Sequence, residues 1–181
     1  MIHFVHSYST KPNELETIHN AKPKKRTFIN MWCYALSLAY LKREGFKCNL
    51  HTDNRGKELL GFLPYDNIYL TCEKQKTDNI DSRFWAAAKF YALQVEDLDA
   101  IHIDGDVFIK DKDTINVLAD MDFDALVQSS DGKTIAYDVI VKYFKEYENP
   151  NYMKDTFGID IDDTDAYNTG TIWLRNQELK D

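Results

Sequence analysis

The chain reads as an α/β protein, a Rossmann-like and mostly parallel sheet with helices on both faces. Three observations predict this. Short apolar segments suited to strands alternate with longer helical segments through the first two-thirds of the 181 residues. One strand, Ala100-Ile101-His102-Ile103, runs straight into Asp104-Gly105-Asp106. The helix before it carries Phe84, Ala87, Ala88, Tyr91, Ala92 and Val95 at helical spacing, one continuous apolar stripe. Alternation of this kind implies parallel strands joined by crossovers, and ligands then bind at the carboxyl ends of the strands.

In chain order, Ile2-His3-Phe4-Val5-His6 is the first strand and Ser7-Tyr8-Ser9-Thr10 a polar loop. Pro23-Lys24-Lys25-Arg26, the one basic cluster, reads as a solvated loop in preference to a phosphate or lipid-headgroup contact. Residues from about Phe28 to Glu44 form a helix that is apolar almost all round and should be largely buried. Gly45 is its expected C′ residue. A strand over Lys47–Thr52 follows, then a short helix over Lys57–Leu60 capped by Asp53 or Asn54, and a third strand over Asn67–Thr71. After the Asp-Gly-Asp strand come a helix over Thr114–Ala119, a strand over Asp124–Gln128, a helix over Ala136–Tyr147 and a final strand over Tyr167–Leu174.

Composition narrows the class. Hydrophobic residues make up 44% and aromatics 13%, as in a globular chain. No linker or repeat interrupts it, so residues 1–181 read as a single domain. The net charge of −8 argues against a general nucleic-acid surface. Cys33, Cys48 and Cys72 form no CxxC pair and read as reduced thiols. The N-terminal stretch has no signal-peptide pattern, so a cytoplasmic protein is expected.

Asp104 and Asp106 are two residues apart on extended chain and so can serve one site. Gly105 between them permits a tight turn or close approach to a ligand. A hydrophobic strand ending in two carboxylates suggests a hard cation held by oxygen atoms, with phosphate oxygens completing its shell. Asp111-Lys112-Asp113 has the same spacing but reads as a helix cap. Asp162, Asp163 and Asp165 read as a solvated acidic loop. Trp32, Trp85 and Trp173 read as core residues. His3, His6, His19, His51 and His102 show no metal-ligand spacing.

The ordered set of features resembles the GT-A-fold glycosyltransferases, the nucleotide-sugar-dependent enzymes with a DxD motif. The features are the first strand ending at His6-Ser7-Tyr8, the stretch from Asp53-Asn54-Arg55-Gly56 to Leu60, Pro64-Tyr65-Asp66 before the third strand, and the helix with Trp85 and Lys89. The strand ending in Asp104-Gly105-Asp106 and the late Tyr167-Asn168-Thr169-Gly170 complete it. The resemblance implies that Asp104 and Asp106 hold Mn²⁺ or Mg²⁺ against the donor diphosphate. It places Lys89 near the donor phosphates or sugar, and Ser7 and Tyr8 around the base and ribose. Asn168 and Gly170 would face the transferred sugar or the acceptor, and Asp131 would touch sugar hydroxyls. The partners implied are a UDP- or GDP-sugar donor and a glycan, lipid or protein acceptor, with peripheral membrane association.

Enzymes of this kind usually run well beyond the late Asn-Thr-Gly strand, whereas this sequence stops at Asp181. The nucleotide-sugar-binding half is therefore expected to be largely complete, and the acceptor part short, missing or supplied by a second chain. No catalytic base or nucleophile is assigned, and retaining or inverting chemistry stays open. Two other readings compete. In HAD-type phosphohydrolases a hydrophobic strand also ends in Asp-x-Asp, the first Asp attacking phosphorus and the second serving as acid-base. Phe108, where that motif usually has Thr or Val, and the mid-chain position of the motif count against it. The other is a non-catalytic nucleotide-sugar-binding module.

Overall fold

The computed structural model describes residues 1–10, 23–74, 86–132 and 166–180. The chain divides into two compact units, Met1–Leu126 with Gly170–Asp181, and Val127–Thr169. In the second, the described residues are strand segments, 127–132 and 166–169. The expected helix over Ala136–Tyr147, Trp85, His19 and Asp162, Asp163 and Asp165 lie outside the described residues.

Six strands form one sheet: β1 His3–Tyr8, β2 Cys48–Thr52, β3 Asn67–Tyr69, β4 Ala100–Ile103, β5 Ala125–Gly132 and β6 Ala166–Leu174. Their order is β3-β2-β1-β4-β6-β5. β1 pairs in parallel with β2 on one side and β4 on the other, and β2 pairs in parallel with β3. β6 runs antiparallel to β4, with Ile103 opposite Thr171. The sheet is thus mixed but mostly parallel, in line with the α/β class read from the alternation. The chain winds outward from β1 through β2 to β3, then returns to place β4 on the opposite side of β1. The carboxyl ends of β1 and β4 therefore flank a topological switch point, where open sheets of this type leave a crevice.

Five helices accompany the sheet among the described residues: α1 Pro23–Arg43, α2 Asn54–Leu60, α3 Thr71–Lys74, α4 Ala87–Val95 and α5 Lys112–Ala119. They lie on both faces, as two separate clusters show. Phe4, Cys48, Ile101, Ile103 and Trp173 pack with Leu38 and Leu41 of α1 and Ile115 of α5. Val5 and Ala100, facing the other way, pack on Ala92 of α4. The alternation of Phe4 and Val5 between these clusters is the period of an extended strand buried on both sides.

α1 begins earlier than its apolar run. Pro23 opens it, a position where its missing N–H costs nothing, so the basic cluster is helical and not a loop. Its end follows the expectation. Gly45 takes φ of 83°, its N–H bonds to the Lys42 carbonyl at 3.1 Å, and the Phe46 N–H bonds to the Leu41 carbonyl at 3.0 Å. That pair of bonds is the Schellman arrangement, and Phe46 then packs edge-on against Phe4.

Two expectations are corrected. β1 runs on through Ser7 and Tyr8, which were read as loop, because parallel pairing with β2 satisfies their backbone as far as Tyr8. α1 is not buried all round. Trp32 is 62% exposed and Phe28 60%, so Trp32 is no core residue. Trp173, at 1%, is one, and its indole N–H donates to the Leu98 carbonyl at 3.0 Å.

Asp53 is the N-cap of α2. It accepts from the Gly56 N–H at 2.7 Å, and its second oxygen accepts from the Thr10 N–H at 2.7 Å and hydroxyl at 2.9 Å. One carboxylate thus caps a helix and pins the segment after β1. Asp53→Ala is expected to lower stability by about 2 kcal/mol, or ~4–8 °C in melting temperature for a chain of this length. Thermal denaturation followed by circular dichroism measures it, and an unchanged melting point would show that the cap contributes nothing.

Candidate functional site

A cleft of about 280 Å³ opens at the switch point. Its walls come from four stretches: Ser7, Tyr8 and Ser9 at the end of β1, Ile29, Asn30, Cys33 and Tyr34 on α1, Ala88 and Lys89 on α4, and Asp104, Gly105 and Asp106 after β4. Six of the sequence-derived candidates, Ser7, Tyr8, Lys89, Asp104, Gly105 and Asp106, meet here.

The turn after β4 is held from several sides. The Asp104 N–H donates to the Gly170 carbonyl of β6 at 2.7 Å, and the Val107 N–H closes the turn on the Asp104 carbonyl at 3.0 Å. Gly170 thus meets the turn through its backbone. Gly105 lies against the ring of Tyr34, where a Cβ would stand 2.5 Å from two ring carbons. Only glycine fits there without displacing the ring. Tyr34 in turn donates its hydroxyl to the Ser7 carbonyl at 2.6 Å. Burial, reinforced by the negative charge of Asp104, raises the Tyr34 pKa well above its ordinary value, so the phenol stays a donor.

The carboxylate of Asp104 receives the Lys89 ammonium at 2.8 Å. Burial raises the Asp104 pKa, Lys89 works in the opposite direction, and the neighbouring charge of Asp106 adds to the rise. Asp106 is exposed at the cleft. Two carboxylates that repel one another beside a single lysine form a site with room for further positive charge. Among the described residues, no group of three or more His, Cys, Asp or Glu could hold a metal by itself. Asp104 and Asp106 could supply two oxygen ligands to a cation whose remaining ligands are water and phosphate oxygens.

Beneath the turn lies a second network. The Ser37 hydroxyl donates to the Val107 carbonyl at 2.6 Å. Having one proton, it must accept from His6 Nε2, 3.1 Å away. His6 is thus the Nε2–H tautomer, and its Nδ1 accepts from the Tyr65 hydroxyl at 2.8 Å. Burial lowers the His6 pKa to about 3. On the α4 face of the sheet, Ser7 Oγ lies 2.8 Å from His102 Nε2. His102 is fully buried, and burial together with Lys89 holds its pKa well below the usual histidine value.

The remaining candidates are placed by element. Asp131 is in β5 and Asn168 in β6, both in the second compact unit; the side chain of Asp131 is outside the described residues, and Asn168 is half-buried. Asp53, near the same sheet edge, is occupied by the caps described above. Asp111 caps α5 through the Thr114 N–H at 3.0 Å, as its sequence context suggested. Tyr34 and Ser37 were not singled out from the sequence, and Tyr65 entered only as part of Pro64-Tyr65-Asp66 before the third strand. The small Ser37 within the apolar α1 run was the available signal.

A family model matches residues 2–177. The chain belongs to DUF6734, a family of unknown function. No curated protein and no solved structure matches it. Within this DUF6734 chain, no helix among the described residues is long and apolar enough to cross a membrane.

Proposed function

We propose that the cleft binds a nucleoside diphosphate-sugar together with Mn²⁺ or Mg²⁺, and that the protein is a metal-dependent glycosyltransferase of GT-A type. The observation that carries the reading is the meeting of Asp104, Asp106 and Lys89 at the switch-point cleft, at the carboxyl edge of a mostly parallel sheet. Asp104 and Asp106 would hold the cation, which when bound neutralises charge on the departing diphosphate. Lys89 lies close enough to Asp104 to turn its ammonium onto a phosphate oxygen. The Tyr34 hydroxyl fixes the end of β1, so the Ser7–Tyr8 backbone offers a rigid wall for base and ribose. The acceptor, a glycan, lipid or protein, would meet the sugar from the open side. Cytosolic nucleotide sugars are the donors this reading implies.

Calorimetric titration of UDP and GDP, each with and without Mn²⁺, tests it. One nucleotide should bind only with metal present, and Asp106→Asn should weaken that binding by roughly tenfold or more, about 1.4 kcal/mol. Asp106 is exposed, so the variant should keep its fold. Failure of both nucleotides to bind with Mn²⁺ would sink the proposal.

A further inference from the structure

Helix α1 has an unusual outer surface. Phe28, Ile29, Trp32 and Leu36 follow one another at helical spacing and are all exposed, Ile29 by 50% and Leu36 by 49%. Phe28 and Trp32 lie edge to face at 6.0 Å, so the aromatic pair forms one block. The inner surface of the same helix is already committed to the core through Leu38 and Leu41. Among the described residues this apolar stripe is separate from the core contacts of the helix, and exposed stripes of this kind mark contact surfaces.

The charge on the helix indicates the partner. Its 21 residues include Lys24, Lys25, Arg26, Lys42 and Arg43 and no aspartate or glutamate, in a chain of net charge −8. Lys42 pairs with Asp66, and Arg43 pairs with Glu44 at 2.8 Å. The basic triplet occupies the first turn, one turn before Phe28. Adjacent aromatic and basic residues on a helix without acids match the interfacial zone of an anionic bilayer. Aromatic rings enter the headgroup region there, and lysine and arginine meet lipid phosphates.

We propose that α1 is a membrane-docking surface, with Phe28, Ile29, Trp32 and Leu36 entering the interface of an anionic bilayer and Lys24, Lys25 and Arg26 contacting its headgroups. Ile29 belongs to both the stripe and the cleft wall, so a bilayer against α1 adjoins the cleft mouth. The surface does not depend on what the cleft binds.

Co-sedimentation of the full chain with vesicles tests this. One set is phosphatidylcholine alone, and the other contains phosphatidylglycerol as well. The protein should sediment with the anionic vesicles, and the bound fraction should fall as salt is raised. Trp32→Ser with Phe28→Ser, and separately Lys24→Glu with Lys25→Glu, should each weaken binding by roughly tenfold. Phe28 and Trp32 are exposed, and for both pairs an unchanged far-ultraviolet spectrum confirms the fold. Absence of binding to anionic vesicles would overturn the proposal, as would binding indifferent to both pairs of substitutions. A solution dimer that Trp32→Ser dissociates would also overturn it, because the stripe would then be covered by a second copy.

Discussion

Glu96→Ala lowers the stability of the fold by about 3–5 kcal/mol, the expected cost of opening a buried charged network from its centre. One Glu96 oxygen lies 2.9 Å from His3 Nε2. The other lies 2.7 Å from His51 Nε2 and accepts from the Asn49 amide at 2.9 Å. One carboxylate at the end of α4 thus serves three polar side chains of β1 and β2. Without it they stay in the interior with their hydrogen bonds unmade. Burial alone would raise the Glu96 pKa, but the hydrogen bonds from His3, His51 and Asn49 pull it far below the usual carboxylate range. His3 moves the other way, raised chiefly by its hydrogen bond to Glu96.

The pH dependence follows. A depressed carboxylate stabilises the fold above its unfolded value of 4.5 and loses that contribution as pH falls through its lowered native value. A raised histidine stabilises below 6.5 and loses its contribution as pH rises through its raised native value. The wild type should therefore lose stability both in acid and above neutrality. Glu96→Ala should flatten both limbs. Urea denaturation at a series of pH values measures this, and a variant that keeps the wild-type pH profile would assign the dependence elsewhere.

Gly105→Ala is the second large effect expected. The new methyl group would stand 2.5 Å from two carbons of the Tyr34 ring and 2.7 Å from a third. The ring cannot swing away cheaply, because its hydroxyl is bonded to the Ser7 carbonyl and it packs edge-on against His6 and Tyr8. Either the turn or the ring must move, at a cost of ~1–3 kcal/mol. Asp104 and Asp106 flank this residue, so metal-dependent nucleotide binding should fall as well. Paired thermal melts and Mn²⁺–nucleotide titrations distinguish the outcomes. A variant with wild-type melting point and binding would show that the close approach has no consequence.

The part of the site that the sequence made legible depends on short-range chemistry. A hydrophobic strand ending in Asp104-Gly105-Asp106 declares itself within a few residues, and parallel topology places its end at the ligand edge. Gly45 was legible for the same reason, since a helix end requires a residue able to adopt positive φ. The Glu96 network was not, because its histidine partners stand 93 and 45 residues away in sequence. Tyr34 and Ser37 were hidden in an apolar run that suggested only burial. That same run made Trp32 look like core, because apolar residues all round a helix do not reveal that one side remains uncovered. Ser7 and Tyr8 looked like loop because polarity suggests solvent, whereas parallel pairing with β2 supplies their backbone partners.

The single proton of Ser37 has a consequence for how the Asp-Gly-Asp turn behaves. Each link from Tyr65 through His6 and Ser37 to the Val107 carbonyl runs in one direction, and adding a proton at His6 Nδ1 would reverse its link to Tyr65. With His6 titrating at about 3, that does not happen near neutrality. The turn bearing Asp106 hangs from a histidine and is nevertheless deaf to pH across the neutral range.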